Sequence, residues 1–178
     1  MPSDQTCDSV CEVARALSVV GDRWTLLIMR ELTLGMHKFE EIQALTGMSS
    51  HLLSNRLKRM EEDGLLKRKK YSSRPARYEY HATPKGKELD GVTLALRGWM
   101  LRWGAYQRGD EPAFKIVHKK TGQVIDGHWQ IPPGDRPFTF DDVDGSLSKA
   151  FAAEREARRA AFKASKQRPS VRRKRNRR

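Results

Sequence analysis

Two short amphipathic segments joined through a glycine constrain this chain more than any other feature in it. Phe39, Ile42 and Leu45 recur at helical spacing and stop at Gly47. Ser49 then suits an N-cap, and Leu53, Leu57 and Met60 form a second apolar stripe at i, i+4 and i+7. Gly64 follows as the glycine just past that helix. A short helix, a turn of two or three residues and a second helix make a helix-turn-helix layout, in which the second helix lies in a major groove. The period changes directly afterwards. Leu66 to Tyr71 and Tyr78 to Ala82 suit two strands, with the loop Ser72 to Arg77 between them.

The flanks extend this pattern. Val13, Ala14, Ala16, Leu17 and Val20 share one helical face, which Gly21 ends, and Asp22 can cap the next helix. That helix carries Trp24, Leu27, Ile28 and Leu32, with Leu26 beside them, and closes near Gly35. Thr83 and Pro84 open a long helix to about Gln107, with Thr as cap and Pro in the first position. The expected fold is mainly α with a small β-hairpin: a winged helix-turn-helix with extra N- and C-terminal dimerisation helices. Residues 1–111 are assigned to it. Residues 112–147 read as a small β-rich extension. In it Phe114, Ile116 and His118 alternate, Lys120 to Gln123 turn the chain into Val124 and Ile125, and Thr139-Phe140 suggests a further short strand. Residues 148–178 read as a basic, Ala-rich helix, capped by Ser146 or Ser148 and reaching about Ala164, then a tail expected to be disordered in isolation.

Charge is unevenly placed along the 178 residues, whose net is +13. Residues 1–111 hold 18 Lys/Arg against 15 Asp/Glu, residues 112–147 hold 4 against 5, and residues 148–178 hold 13 against 2. The basic character is therefore mostly a property of the C-terminal segment, and it favours a polyanionic partner. Two cysteines, Cys7 and Cys11, are too few for a disulfide framework. No N-terminal run resembles a signal peptide, and no stretch is long enough to span a membrane. A reducing cytoplasmic compartment without membrane association is expected.

With the apolar stripe of the second motif helix facing inward, Ser50, His51, Ser54, Asn55 and Lys58 face outward beside the cap Ser49. Asn55 suits bidentate pairing with adenine, and Ser50 or Ser54 can contact most bases. Arg56, Lys58 and Arg59 suit phosphates, which position a protein without specifying sequence. In the hairpin, Lys67 to Lys70 precede the turn, with Lys69 among them, and Arg74 and Arg77 sit at the tip, suited to a minor groove or its phosphates. The plainer readings are a solvated helix face and a charged edge strand that discourages aggregation. Double-stranded DNA is the partner this layout favours. The alternative is a non-specific RNA-binding or chromosome-coating protein driven by the basic tail, with a steep salt dependence.

Leu89, Val92, Leu96, Trp99, Trp103 and Tyr106 recur at alternating steps of three and four, a coiled-coil-like seam that suits a homodimer. Leu94 and Leu101 lie on another face of the same helix. Packing of both faces within one subunit is the competing arrangement. No metalloprotease, P-loop, dinucleotide or nucleophile-elbow pattern is present, and the five histidines show no ligand spacing. The chain therefore reads as a non-enzyme with no cofactor.

Several motifs resemble the HxlR-type family of bacterial winged-helix regulators. They are Cys11 to Leu17, Gly21 to Ile28, Gly35, Lys38-Phe39, Met48-Ser49, Leu53 to Leu57, Glu61 to Leu65, Tyr71, Pro75, Arg77, Glu79-Tyr80 and Thr83 to Gly86. The resemblance covers roughly the first 110 residues. It implies a dimeric transcriptional regulator, repressing or activating, with Ser54 to Arg56 on DNA and an effector that the sequence does not name. It also implies that Cys11 is a candidate sensor thiol; Cys7, four residues earlier, is a second candidate read from the sequence alone. A small buried hydrophobe is the other reading of Cys11. Cys7 is outside the family pattern, and Glu12 stands where the family often has proline. Some relatives carry a cysteine-rich C-terminal extension. Here Thr121 replaces the cysteine after His118, so no metal is expected.

Overall fold

The computed structural model describes residues 9–104 and 111–167. Cys7, Tyr106 and the basic run from Arg172 lie outside them. Four helices come first: α1 (Glu12–Val20), α2 (Thr25–Thr33), α3 (Phe39–Thr46) and α4 (Ser50–Glu62). Strands β1 (Leu66–Ser73) and β2 (Ala76–Ala82) follow, then α5 (Pro84–Lys87) and α6 (Leu89–Trp103). The described residues end in β3 (Phe114–His118), a 3-10 turn (Phe140–Asp142), β4 (Val143–Leu147) and α7 (Lys149–Gln167). Among the described residues no helix is long and apolar enough to cross a membrane.

The local chemistry accounts for these boundaries. Gly47 and Gly64 end α3 and α4 at φ of +72° each, a left-handed conformation that residues with a Cβ rarely adopt. Ser49 Oγ accepts from the Leu52 N–H at 3.2 Å and so starts α4. Asp22 Oδ1 accepts from the backbone N–H groups of Trp24 and Thr25 (2.8 and 3.1 Å), starting α2. Thr83 caps α5 by accepting from the Gly86 N–H, and its hydroxyl donates back to Gly64 O. One core then forms from both motif helices and α2. Ile28, Met29, Leu32, Ile42, Leu45, Leu53, Leu57, Met60, Leu65 and Leu66 are all nearly solvent-free. Burying each such side chain contributes about 1.5–3 kcal/mol before the entropy of ordering is subtracted.

The extension builds a second, smaller core. β3 and β4 pair antiparallel, with Phe114 opposite Leu147 and His118 opposite Val143. Ile116, Ile125 and Phe138 are buried there with Leu94 of α6, flanked by Trp129 and Phe140. One face of α6 is thus covered within the subunit. Asp90, buried at the start of α6, accepts from the Phe140 N–H at 2.9 Å and ties the helix to the extension.

The structure differs from the sequence reading of the backbone in three places, and it decides between the two caps expected for the last helix. The expected single helix from Pro84 is divided at Glu88 into α5 and α6, and α6 stops at Gly104, whose backbone is extended. The hairpin turn is tighter than a six-residue loop, because β1 runs to Ser73 and β2 starts at Ala76, leaving Arg74 and Pro75. Thr139-Phe140 is not a strand. Asp142 Oδ2 accepts from the Thr139 N–H, winding the segment into a 3-10 turn, and the strand begins at Val143. Ser146 lies in β4, so Ser148 caps the last helix, its Oγ accepting from the Phe151 N–H.

Candidate nucleic-acid interface

The outward face of α4 is set by its buried stripe. Leu53, Leu57 and Met60 are 0%, 2% and 1% exposed, which fixes the helix rotation and turns Ser50, His51, Ser54, Asn55, Lys58 and Arg59 to solvent beside Ser49. Asn55 does not stand alone on that face. Its amide nitrogen and His51 Nε2 are 3.1 Å apart, one helical turn away, so Nδ2 donates to the ring in its Nδ1-protonated tautomer. This contact orients the amide. The sequence placed both residues on the face, but the spacing alone did not show the bond.

The arginines divide. Arg56, expected on phosphate, is turned inward: its Nη1 is 3.0 Å from Asp22 Oδ2, and its side chain is only 18% exposed. Asp22 also accepts from Thr25 Oγ1 at 2.5 Å, so one carboxylate caps α2 and anchors α4. Arg59 donates to Ser18 O at 3.1 Å, joining α4 to α1, while over half of its side chain stays exposed. Lys58 remains outward, 3.6 Å from Glu62. The Asp22–Arg56 pair was missed because its partners are far apart in sequence and neither sits at a periodic position.

The wing is held beside α4 by the α2–α3 connection. Tyr80 N–H donates to His37 O at 2.8 Å, and His37 Nδ1 lies 3.0 Å from Tyr80 O. His37 and His81 stack with centroids 4.4 Å apart. Burial raises the Tyr80 hydroxyl above its ordinary pKa. Lys69, Arg74 and Arg77 are exposed along the hairpin. Lys69 faces Glu79 across the ladder, while among the described residues Arg74 and Arg77 form no salt bridge. The C-terminal helix also reaches this region. Lys166 of α7 donates to Glu40 Oε1 at 2.6 Å, and this holds the Glu40 carboxyl below its ordinary range, with Arg77 adding to the effect. The start of α3, the wing tip and the end of α7 therefore converge.

The predicted seam is largely uncovered. Val92, Leu96, Trp99 and Trp103 are 43%, 51%, 53% and 75% exposed, and Met100 joins them at 45%. Leu89 departs from the seam and packs against the first core. Helix α1 buries no residue, although Val13 and Leu17 lie on its apolar face, more than half exposed. Cys11 is exposed at the N-cap of α1 with a free thiol.

Comparison with known proteins agrees with this geometry. Residues 19–108 match the sequence profile of the HxlR-like helix-turn-helix. The chain is 38% identical over 114 residues to the HTH-type transcriptional regulator Rv3095 of Mycobacterium tuberculosis, covering 64% of this chain and 71% of that one. It is 37% identical over 90 residues to the HTH-type transcriptional regulator YvaP of Bacillus subtilis, covering 50% and 83%. Among solved structures, that of PA1607, a candidate transcription factor, superposes with a TM-score of 0.61 at 29% identity, covering 82% of this chain and 99% of that one.

Proposed function

The chain belongs to the HxlR-like helix-turn-helix family of transcriptional regulators, and from that premise we propose that it is a non-enzymatic, cytoplasmic homodimer that reads an inverted-repeat operator in double-stranded DNA. The observation that carries this reading is the outer face of α4. Ser50, His51, Ser54 and Asn55 stand exposed on a helix whose opposite face is locked in the core, beside a wing ending in Arg74 and Arg77. Small polar side chains at the start of such a helix suit base edges, and exposed tip arginines suit phosphates or a minor groove. The dimer is supported by the apolar surface that one subunit leaves open on α6, since contiguous exposed patches of this kind mark association sites. A two-fold dimer would set two α4 helices about 34–36 Å apart. We further assign thiol-based control to Cys11, whose exposure at the start of α1 leaves it open to oxidants.

Site-selective footprinting over genomic fragments tests the central claim. Discrete protected palindromes are expected. Uniform protection of every fragment would instead identify a coating protein that binds through charge alone.

A further inference from the structure

Between the helix-turn-helix core and the extension lies a cavity of about 720 Å³. Its walls come from the end of α2, the middle of α6, strands β3 and β4, and α7. Most of the lining is apolar, including Met100, Leu101, Phe140 and Val143. Small-molecule sites typically span about 300–1,000 Å³ and pair apolar walls with a few convergent polar groups. The polar groups here are strongly biased. Arg30, Arg97, Arg155 and Arg159 line the cavity against one acidic residue, Glu156. Glu31, fully buried behind them, lies 2.5 Å from Arg30 and 2.7 Å from Arg155, so one carboxylate is shared by two guanidiniums. Arg159 has weaker partners: its Nη2 lies 3.2 Å from the Met36 thioether, and Nη1 is 3.7 Å from an exposed Glu156 carboxylate.

We propose that this cavity is a binding site for a small amphipathic carboxylate, an aryl or medium-chain acid whose apolar body fills the space between α6 and β4 and whose carboxylate meets Arg159. A neutral apolar ligand would leave Arg159 with only those weak partners, and a small inorganic anion would leave the apolar walls uncovered. A monoanion with an apolar body satisfies both, and a guanidinium binds carboxylate bidentately. The site bears on the DNA-reading motif because α7 also grips α3: Arg158, next to Arg159, donates to Leu45 O at 2.9 Å. The inference goes beyond the DNA-binding reading and needs neither DNA nor a dimer to be tested.

The test is calorimetric titration of the full-length chain, without DNA, using decanoate and naphthoate, with decanol as the uncharged control. Saturable binding of at least one acid, one molecule per chain and with Kd below about 1 mM, is expected. Arg159→Gln should weaken acid binding about tenfold or more and leave decanol unchanged. Thr93→Trp, which places an indole in the cavity, should abolish binding with an unchanged circular dichroism spectrum. Should that variant fail to fold, Arg159→Gln decides alone, since it alters a side chain that is 37% exposed. Failure of both acids to saturate, or wild-type affinity in Arg159→Gln, would overturn the assignment.

Discussion

Asn55 is held by His51 in the free protein, and its proposed role differs from that of the arginines around it. Replacing it with Ala should cost about 1–3 kcal/mol at one base pair and relax specificity there. Arg77→Ala should instead weaken binding to all sequences and lower the salt slope by about one unit. Titrations on operator and scrambled duplexes distinguish the two, and equal losses on both for Asn55→Ala would refute the reading-face assignment. Asp90 poses an electrostatic question. Burial raises its carboxyl above the ordinary value of 3.8, against hydrogen bonds from Phe140 and Thr33 that favour the charge. The native state therefore takes up a proton more readily than the unfolded chain. Stability from this group grows as pH falls through the raised native pKa, is complete below the ordinary one, and is lost as pH rises again. Asp90→Asn keeps an acceptor for the Phe140 N–H without the charge. It should be at least as stable as wild type near neutrality, and its advantage should shrink on acidification. Urea unfolding at about pH 7 and about pH 5 measures this, and an advantage unchanged by pH would show that Asp90 is not the titrating group. For Cys11 the expected result is that mild oxidant changes operator affinity of the wild type but not of Cys11→Ser. An equal response from both would remove Cys11 as the switch.

Helix α6 shows at the level of one element why sequence pattern carries an argument only part of the way. Its two apolar faces were legible because periodicity is local. The pattern did not say which partner each face meets: Leu94 is covered by Ile116, Ile125 and Phe138 of the same chain, while Leu96, Trp99 and Trp103 are left open. The motif helices, their glycine stops and the wing strands were readable for the same local reason. The docking of α7 was not. Arg155 reaches the fully buried Glu31, and Lys166 reaches Glu40, across more than a hundred residues with no periodic signal to announce them. Removing one partner from a buried ion pair strands the other, so Arg155→Met should destabilise the fold by about 3–5 kcal/mol. Chemical denaturation would detect this, and a loss below 1 kcal/mol would mean that Arg30 alone satisfies Glu31. The open face of α6 has its own prediction. Trp99→Glu combined with Leu96→Glu should leave the fold intact, because both side chains are about half exposed, and should give a monomer in sedimentation at micromolar concentration. A persisting dimer would place the interface elsewhere.

For the molecule as a whole, the question is what the basic C-terminal segment adds to a surface that already offers the exposed face of α4 and a wing. Residues 168–178 carry seven Lys or Arg and no acidic residue, while the remainder of the chain has a net charge of only +6. More than half of the excess positive charge thus lies in eleven residues. Their point of attachment is known: α7 ends at Gln167, with Lys166 bonded to Glu40 at the start of α3, where the Arg77 charge is also felt. Helix α7 therefore ends on the side of the candidate DNA surface. Charges delivered there add phosphate contacts, each contributing up to about 0.9 to the slope of log affinity against log salt. Phosphate contacts strengthen binding without choosing bases. Ending the chain after Gln167 keeps the Lys166–Glu40 and Arg155–Glu31 pairs, so the truncated protein should unfold at the same denaturant midpoint as the full chain. It should bind its operator less tightly, with a salt slope shallower by as much as about six units, and protect the same base pairs in a footprint. Two results would count against this account. An unchanged salt slope would mean that the segment does not reach the phosphates. A shifted footprint would mean that it reads bases, and the division of labour between α4 for sequence and the C-terminal segment for affinity would have to be abandoned.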